Sequence, residues 1–337
     1  MDRATVTACP TPVGAGFFVP AHMNASAPAR RHLTGLEGMP RETLMHLLDA
    51  AKLYRERIAS GPWQSEALRG VAVCNAFFED STRTRVSFEL AEQRLGAMPV
   101  TIAETGTSLA KGESVLDTLH VIASMHVTAI VVRHRASGMA RFLAGEIPAS
   151  IINAGDGQHE HPTQGLLDLM TLRDAWGGRF ERRRIAIVGD IRHSRVARSA
   201  IAGLRTLGAR VTVCGPATLL PAHVEALGCE VAPTTEDALS GADAAMALRL
   251  QRERMEGGLL PAGGEYAQVW GLTPDRLRLM ADHAVVLHPG PVNRGVEITP
   301  EAADGPRSAI LRQTANGIAV RCAVLSWCVT GDAGAAA

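Results

Sequence analysis

Hydroxyl and guanidinium groups crowd one short stretch of the chain, residues 77–85 (FFEDSTRTR). An apolar run ends there, and the pattern that follows predicts a helix over 81–96. The first turn of a helix carries unpaired backbone N–H groups and the positive end of the helix dipole, so it attracts anions. An ordinary N-cap at Asp80 or Ser81 with surface arginines would explain part of this run. The run holds far more donors than one cap needs, and arginine can bind phosphate with two hydrogen bonds, so a phosphate site is favoured.

Further polar blocks are scattered along the chain and are less specific when each is taken alone. They are Ser108 to Gly112 with Lys111, Arg133-His134, His159 to Gln164 (HEHPTQ), Arg195, Arg249-Leu250-Gln251 and His288-Pro289-Gly290-Pro291. Each has a structural interpretation as a solvated charge, a helix start or a chain reversal. Each has a functional one as well, because binding residues concentrate in loops that a rigid scaffold positions.

Two cofactor classes are disfavoured by residue spacing. His159 and His161 offer two imidazoles, but no cysteine at zinc-ligand spacing accompanies them, so we expect no metal site. The run ending at Gly189 enters a helix as in dinucleotide folds, yet the GxGxxG fingerprint is absent. The missing fingerprint disfavours NAD binding and therefore a dehydrogenase. We expect that the protein uses no cofactor.

The elements that must position these blocks alternate between strands and helices. Strands are predicted over 71–78, 127–132, 150–153, 184–189, 210–214, 230–232, 244–248 and 285–287. Helices are predicted over 44–58, 81–96, 163–176, 196–207 and 310–329. The alternation predicts an α/β fold of two domains, each a parallel sheet flanked by helices. Ligands of such sheets bind at the carboxyl ends of strands, where most of the polar blocks fall.

Composition limits the function classes further. Lys plus Arg and Asp plus Glu both number 34 in 337 residues, and aromatic residues make up 4%, so a nucleic-acid coat or a polybasic membrane binder is disfavoured. No uncharged apolar run reaches the ~18 residues that would predict a membrane span. The six cysteines form no CxxC pair, which favours a reducing, cytoplasmic setting without disulfides.

Segments without periodicity and a pair of glycines suggest the domain boundaries. Residues 1–31 lack periodicity and predict an irregular N-terminal extension, either a floppy tail or a docking arm. The first domain is predicted over 32–176, and a break near Gly177-Gly178 starts the second, over 177–309. Residues 310–330 form a final helix.

Taken together and in order, the blocks resemble the aspartate carbamoyltransferase family. Ser81-Thr82-Arg83-Thr84-Arg85 resembles the carbamoyl-phosphate motif of the wider carbamoyltransferases, and the later blocks resemble segments found in the same order. The likeness spans about 32–329. It implies that the last helix packs back on the first domain. It also implies transfer of the carbamoyl group of carbamoyl phosphate to L-aspartate, an early step of de novo pyrimidine biosynthesis, with no covalent enzyme intermediate.

The resemblance also implies a role for each site residue. Binding of carbamoyl phosphate would involve Ser81, Thr82, Arg83, Thr84, Arg133, His161, Gln164, Pro289 and Gly290, of which Arg83, Thr84, Arg133 and His161 would be catalytic. L-Aspartate would be bound by Lys111, Arg195, Arg249 and Gln251. Ser108 and Lys111 would come from the neighbouring subunit of a homotrimer with shared active sites.

Rival interpretations make different demands on the sequence. An ornithine carbamoyltransferase should offer acidic or thiol groups to the extra amine, whereas Arg249 and Gln251 suit a dicarboxylate and the turn at His288 has no cysteine. A non-catalytic relative should show a broken motif, and none is found. The sequence leaves open whether nucleotides regulate the chain, and whether a regulatory chain or a dihydroorotase-like partner binds it.

Overall fold

The computed structural model describes residues 30–103, 113–250 and 263–335. Within these ranges the chain forms two parallel sheets, one in each of two domains. The predicted site residues Ser108, Lys111 and Gln251 lie outside the described residues, as does the extension before residue 30.

The first domain is built on a four-stranded parallel sheet with the strand order β2-β1-β3-β4. Its strands are β1 (Ala72–Phe77), β2 (Met98–Ala103), β3 (Ala129–His134) and β4 (Ser150–Asp156). Its helices are α1 (Arg41–Ala59), α2 (Thr82–Arg94), α3 (Val115–Ser124), α4 (Met139–Glu146) and α5 (Pro162–Ala175). Successive residues of β1 such as Val73 and Cys74 enter different apolar clusters, so both faces of the sheet are covered.

Strand β2 was not predicted from the sequence. It is an edge strand that pairs only with β1, and Pro99 lies opposite Val73 in the register. Proline cannot donate to the ladder and is confined to such edges, which is why the segment did not resemble a strand. Helix α4 was not predicted, and β4 continues three residues beyond the predicted end at Asn153 to Asp156.

The second domain is built on a five-stranded parallel sheet with the strand order β7-β6-β5-β8-β9. Its strands are β5 (Arg184–Val188), β6 (Arg210–Cys214), β7 (Glu230–Val231), β8 (Ala244–Ala247) and β9 (Val285–Leu287), all of which were predicted. Its helices are α6 (Arg195–Thr206), α7 (Thr235–Leu239), α8 (Gly263–Trp270), α9 (Pro274–Leu277) and α10 (Pro300–Ala303). The α/β class predicted from the sequence is confirmed.

The final helix α11 (Ile310–Thr330) leaves the second sheet and packs on α1, α2 and α5 of the first domain. Apolar residues such as Val324 and Leu325 are fully buried in this contact, and Tyr54 Oη lies 2.8 Å from Ser326 Oγ. The expectation that the last helix packs back on the first domain is confirmed.

Two further expectations concern the membrane and the cysteines. Among the described helices, none combines the length and the apolar character needed to cross a bilayer. The five described cysteines, Cys74, Cys214, Cys229, Cys322 and Cys328, are buried free thiols.

Candidate active site

A polar cleft of about 370 Å³ lies between the two domains. The first domain contributes Glu79, Asp80, Ser81, Thr82, Arg83, Thr84, Arg133, His161 and Gln164. The second contributes Ser194, Arg195, Val196, Arg249, Pro289, Gly290 and Pro291. Every predicted site residue within the described ranges therefore lines one cleft, although these residues are spread over most of the chain.

The start of α2 forms one wall of the cleft. Ser81 occupies the N-cap position, but its side chain makes no capping hydrogen bond within the described structure, and the first turn of the helix contains no acidic residue. The hydroxyl is therefore not used in the way that an ordinary cap would use it. Thr84 is buried in the first turn, while Arg83 projects from it into the cleft. The backbone N–H groups, hydroxyls and guanidinium at this point suit a phosphate group.

A carboxylate holds two arginines in place across the domain boundary. Arg133 at the end of β3 donates to Glu79 Oε1 at 2.9 Å and to the Ala154 carbonyl at 3.1 Å. Arg195, the first residue of α6, donates to the same Glu79 carboxylate at 2.6 and 3.0 Å. Both guanidinium groups are nearly buried, so they are fixed rather than freely moving. Sequence reasoning quoted Glu79 in the 77–85 run but assigned it no role.

Two glycines allow the backbone to approach these arginines. Gly155 has φ +117°, and a Cβ there would lie 3.0 Å from atoms of both Arg133 and Arg195. Gly290 has φ +64°, and a Cβ there would lie 2.3 Å from Arg83 Nη1. A side chain at either position would displace a guanidinium group. Gly155 was not singled out from the sequence, although a glycine at the end of a buried strand is a usable signal.

His161 lies at the N-terminal mouth of α5 with Pro162 in the first turn, as predicted. Its backbone N–H donates to Ser199 Oγ at 2.9 Å, which ties α5 to α6. Burial lowers the pKa of His161 well below its usual value, and the positive charges of Arg133 and Arg195 lower it further. The imidazole is therefore neutral at physiological pH. It presents one N–H group that can donate to a carbonyl oxygen.

The electrostatic balance of the cleft is positive. Four arginines and two carboxylates line it. Burial lowers the pKa of Arg83, and the nearby charge of Arg249 lowers it further, because two guanidinium groups are held close together. Like charges forced together in a concave site favour an anion between them.

A metal-binding alternative lies outside this cleft. Among the described residues, Glu37, His159 and Glu160 bring three ligand atoms within 4.8 Å of one another. The Glu160 carboxylate already accepts from Leu36 N, Glu37 N and Ser199 Oγ at 2.7, 3.0 and 2.7 Å. These bonds join the segment before α1 to α5 and α6, so they account for Glu160 as a structural residue.

Comparison with known proteins identifies the family. Residues 31–174 match the model of the aspartate/ornithine carbamoyltransferase carbamoyl-P binding domain, and residues 181–328 match that of the Asp/Orn binding domain. The aspartate carbamoyltransferase catalytic subunit of Myxococcus xanthus is 51% identical over 298 residues, covering 88% of this chain and 99% of that protein. The corresponding subunit of Xanthomonas campestris is 53% identical over 299 residues, covering 88% of this chain and 95% of that protein.

Solved structures agree with the sequence comparison. Aspartate transcarbamoylase from Trypanosoma cruzi, in complex with N-(phosphonacetyl)-L-aspartic acid, superposes with a TM-score of 0.79 at 29% identity, covering 89% of this chain and 95% of that one. Ornithine carbamoyltransferase from Pyrococcus furiosus superposes with a TM-score of 0.79 at 26% identity, covering 90% of this chain and 98% of that one. The chain belongs to the aspartate/ornithine carbamoyltransferase family.

Proposed function

We propose that the cleft transfers the carbamoyl group of carbamoyl phosphate to the amino group of L-aspartate. The products are N-carbamoyl-L-aspartate and phosphate, and the reaction is an early step of de novo pyrimidine biosynthesis. The observation that carries the proposal is the assembly of one cleft from a phosphate-type helix start in the first domain and two arginines, Arg195 and Arg249, in the second. Relatives that are 51% and 53% identical are aspartate carbamoyltransferase catalytic subunits.

The first domain would bind most of carbamoyl phosphate and the second domain the aspartate, with Pro289 and Gly290 of the second domain also reaching the carbamoyl group. The domain predicted over 32–176 would hold the phosphate with Ser81, Thr82, Arg83 and Thr84, and the carbonyl oxygen with Thr84, Arg133 and His161. Gln164 and the backbone carbonyls of Pro289 and Gly290 would accept from the carbamoyl amino group. The domain predicted over 177–309 would bind the aspartate carboxylates with Arg195, Arg249 and Gln251.

The chemistry needs orientation and charge stabilisation more than a nucleophile on the protein. The aspartate amine bonds to the carbamoyl carbon, the bond from that carbon to the phosphate oxygen breaks, and the amine proton passes to the released phosphate or to solvent. Negative charge develops on the carbonyl oxygen, where Arg133 and neutral His161 can donate. Each such donor is worth ~3 kcal/mol in related acyl-transfer sites. No cofactor enters this scheme.

We further propose a homotrimer with shared sites, in which Ser108 and Lys111 of one subunit reach the cleft of the next. Strand β2 at the sheet edge leads directly into the segment that carries both residues. Apolar side chains are exposed on β2 and the adjacent α2, which suits an interface there. The buried free thiols are consistent with a cytoplasmic protein.

A colorimetric assay for the ureido product tests the activity. Carbamoyl phosphate is supplied with either L-aspartate or L-ornithine. Product with aspartate alone supports the proposal. Product with ornithine alone would retain the phosphate half and overturn the aspartate assignment. Absence of product with either amine, from folded protein that still binds phosphate, would indicate an inactive relative.

Mixed trimers test the shared site. Arg83→Ala and Lys111→Ala chains are each expected to be inactive by themselves. Trimers reassembled from both would contain some clefts with both residues intact, so we expect partial recovery of activity. Failure to recover activity from trimers of confirmed mixed composition would contradict a site shared between subunits.

A further inference from the structure

A buried carboxylate lies directly behind Gln164. Asp168, one turn further along α5, is 1% exposed and has no place in the scheme above. Gln164 Nε2 donates to its Oδ1 at 2.8 Å. From the opposite side, Gln313 Nε2 of α11 donates to the same oxygen at 2.6 Å. Two side-chain amides thus share one acceptor at the boundary of the cleft.

The direction of these hydrogen bonds is fixed from the far end. The backbone N–H of His288 donates to Gln313 Oε1 at 3.0 Å. A backbone N–H can only donate, so the Gln313 oxygen must face His288 and its NH₂ group must face Asp168. Asp168 Oδ1 is then an acceptor, and Gln164 must also turn its NH₂ group toward it. The Gln164 oxygen is the group left to face the cleft.

The arrangement tolerates a proton on Asp168. Its Oδ2 is buried without a hydrogen-bond partner among the described residues, so a proton can reside there while Oδ1 continues to accept. Burial raises the pKa of Asp168 to about 7, although the bonds from Gln313 and Gln164 oppose that shift. Gln164 keeps the same orientation when Asp168 is ionised, because a carboxylate can only accept, and also when the proton lies on Oδ2.

The same network reaches the second wall of the carbamoyl subsite. His288 Nδ1 accepts from the Gly290 backbone N–H at 2.8 Å, and His288 Nε2 lies 3.0 Å from Glu297 Oε1. His288 thereby shapes the Pro289–Gly290 turn, whose carbonyls are the other acceptors proposed for the amino group. Through Gln313, Asp168 connects this turn with Gln164.

We propose that Asp168 is a positioning residue that presents the Gln164 oxygen, and not its NH₂ group, to the amino group of carbamoyl phosphate. The inference rests on the proposed function and deepens it. The Gln164 oxygen in this orientation accepts a hydrogen bond from the NH₂ group of a carbamoyl phosphate. It gains no hydrogen bond from the methyl group of an acyl phosphate. Asp168 thus favours a carbamoyl phosphate over an acyl phosphate of the same shape, because an unpaired buried polar group is costly.

Acetyl phosphate, which has a methyl group in place of the amino group, provides the test. We expect Asp168→Leu to raise the KM for carbamoyl phosphate by about 10-fold or more, since Gln164 is then free to turn over. The inhibition constant of acetyl phosphate, competing with carbamoyl phosphate, should change by less than about two-fold. If both ligands weaken to the same extent, Asp168 is merely structural and the proposal is overturned.

Matched variants separate positioning from stability. Asp168→Asn keeps an acceptor oxygen and should restore most of the discrimination between the two ligands. Thr171→Val removes another buried bond between α5 and α11, the one from Asn316 Nδ2 at 2.9 Å, and should lower stability without changing the ligand ratio. A changed ratio in Thr171→Val would overturn the proposal.

A replacement variant and a product assay of the wild-type chain cover the two ways in which this test could fail. If Asp168→Leu does not fold, Gln313→Leu replaces it, because that variant breaks the link to His288 while Asp168 stays in place. We expect the same loss of discrimination to a smaller extent, and an unchanged ratio would overturn the proposal. Failure of the proposed function would appear separately, as absence of N-carbamoyl-L-aspartate from the wild-type chain.

Discussion

Arg83 lies where three features of the cleft meet: the first turn of α2, the left-handed Gly290 and the neighbouring charge of Arg249. No carboxylate in the first turn of the helix competes with a phosphate for it. Its neighbours therefore constrain both its position and the kind of ligand that it can bind.

The first prediction is that Arg83→Ala abolishes turnover while leaving the fold intact. Loss of the guanidinium group that we propose to hold the leaving phosphate should lower kcat by about 100-fold or more. Steady-state kinetics and circular dichroism measure the two outcomes. Arg69→Ala is the control, because Arg69 is exposed and pairs only locally with Glu66. Turnover near the wild-type rate in Arg83→Ala would contradict the assignment.

A buried carboxyl group outside the cleft gives a pH-dependent prediction. Glu92 in α2 accepts from Asn75 Nδ2 at 2.8 Å, and burial raises its pKa to about 8. Because the folded chain holds this proton more tightly than the unfolded chain does, its contribution to stability is present below pH ~4.5 and is lost as pH rises to about 8. Glu92→Gln should therefore be more stable than wild type at pH 8, by about 1–3 kcal/mol, and much less so at pH 5.

Urea denaturation at the two pH values measures the effect of Glu92→Gln. The exposed Glu66→Gln is the control, with an expected change below ~0.5 kcal/mol at both pH values. Destabilisation of Glu92→Gln at pH 8 would show that the ionised carboxylate is stabilised in the folded chain.

At the scale of elements, Glu79 joins the end of β1 to β3 and α6. Its carboxylate is the common partner of Arg133 and Arg195, which come from different domains. We expect Glu79→Gln to lower kcat/KM for aspartate by about 10- to 100-fold, because neither guanidinium keeps its charged partner. Glu181→Gln, which breaks an Arg–Glu pair with Arg41 away from the cleft, should change kcat/KM by less than about two-fold. Equal effects of the two variants would contradict a specific role for Glu79.

The elements also show which site residues could be predicted from the sequence. His161 and Arg195 follow from local signals, since each lies at the start of a helix that the pattern indicates. Glu79 lies 116 residues from Arg195 in sequence, and no local pattern reveals that pairing. Asp168 was missed because its partner Gln313 belongs to α11, 145 residues away.

The fold was predictable to a similar extent and for a similar reason. Strands that are buried on both faces have continuous apolar runs, so the almost wholly buried strands β1, β3, β5 and β8 were found. The edge strand β2 is half exposed and contains Pro99, so it lacks that signal. No local pattern specifies which surface an apolar helix packs on. The contact between α11 and the first domain was therefore expected only from the family resemblance.

At the scale of the whole molecule, an exposed apolar patch on α2 and β2 favours an assembly. It consists of Val86, Leu90, Met98 and Val100. Leu90→Glu combined with Met98→Glu should convert the proposed trimer into monomers, because burying two carboxylates at an interface is costly. Light scattering after gel filtration measures the mass. Leu53→Glu, an exposed site on α1, is the control and should leave the mass unchanged. An intact trimer in the double variant would place the interface elsewhere.

The return of α11 to the first domain also has a consequence during synthesis on the ribosome. The core of the first domain needs α11, yet α5 ends at Ala175 and α11 ends only at Thr330. At a translation rate of 5–20 residues per second, roughly 8 to 30 s pass between synthesis of α5 and completion of α11. The second domain is synthesised during that interval. The apolar surfaces of α1 and α5 that α11 will cover are exposed during that interval. A nascent chain halted before residue 310 would therefore present a ready site for chaperones or proteases.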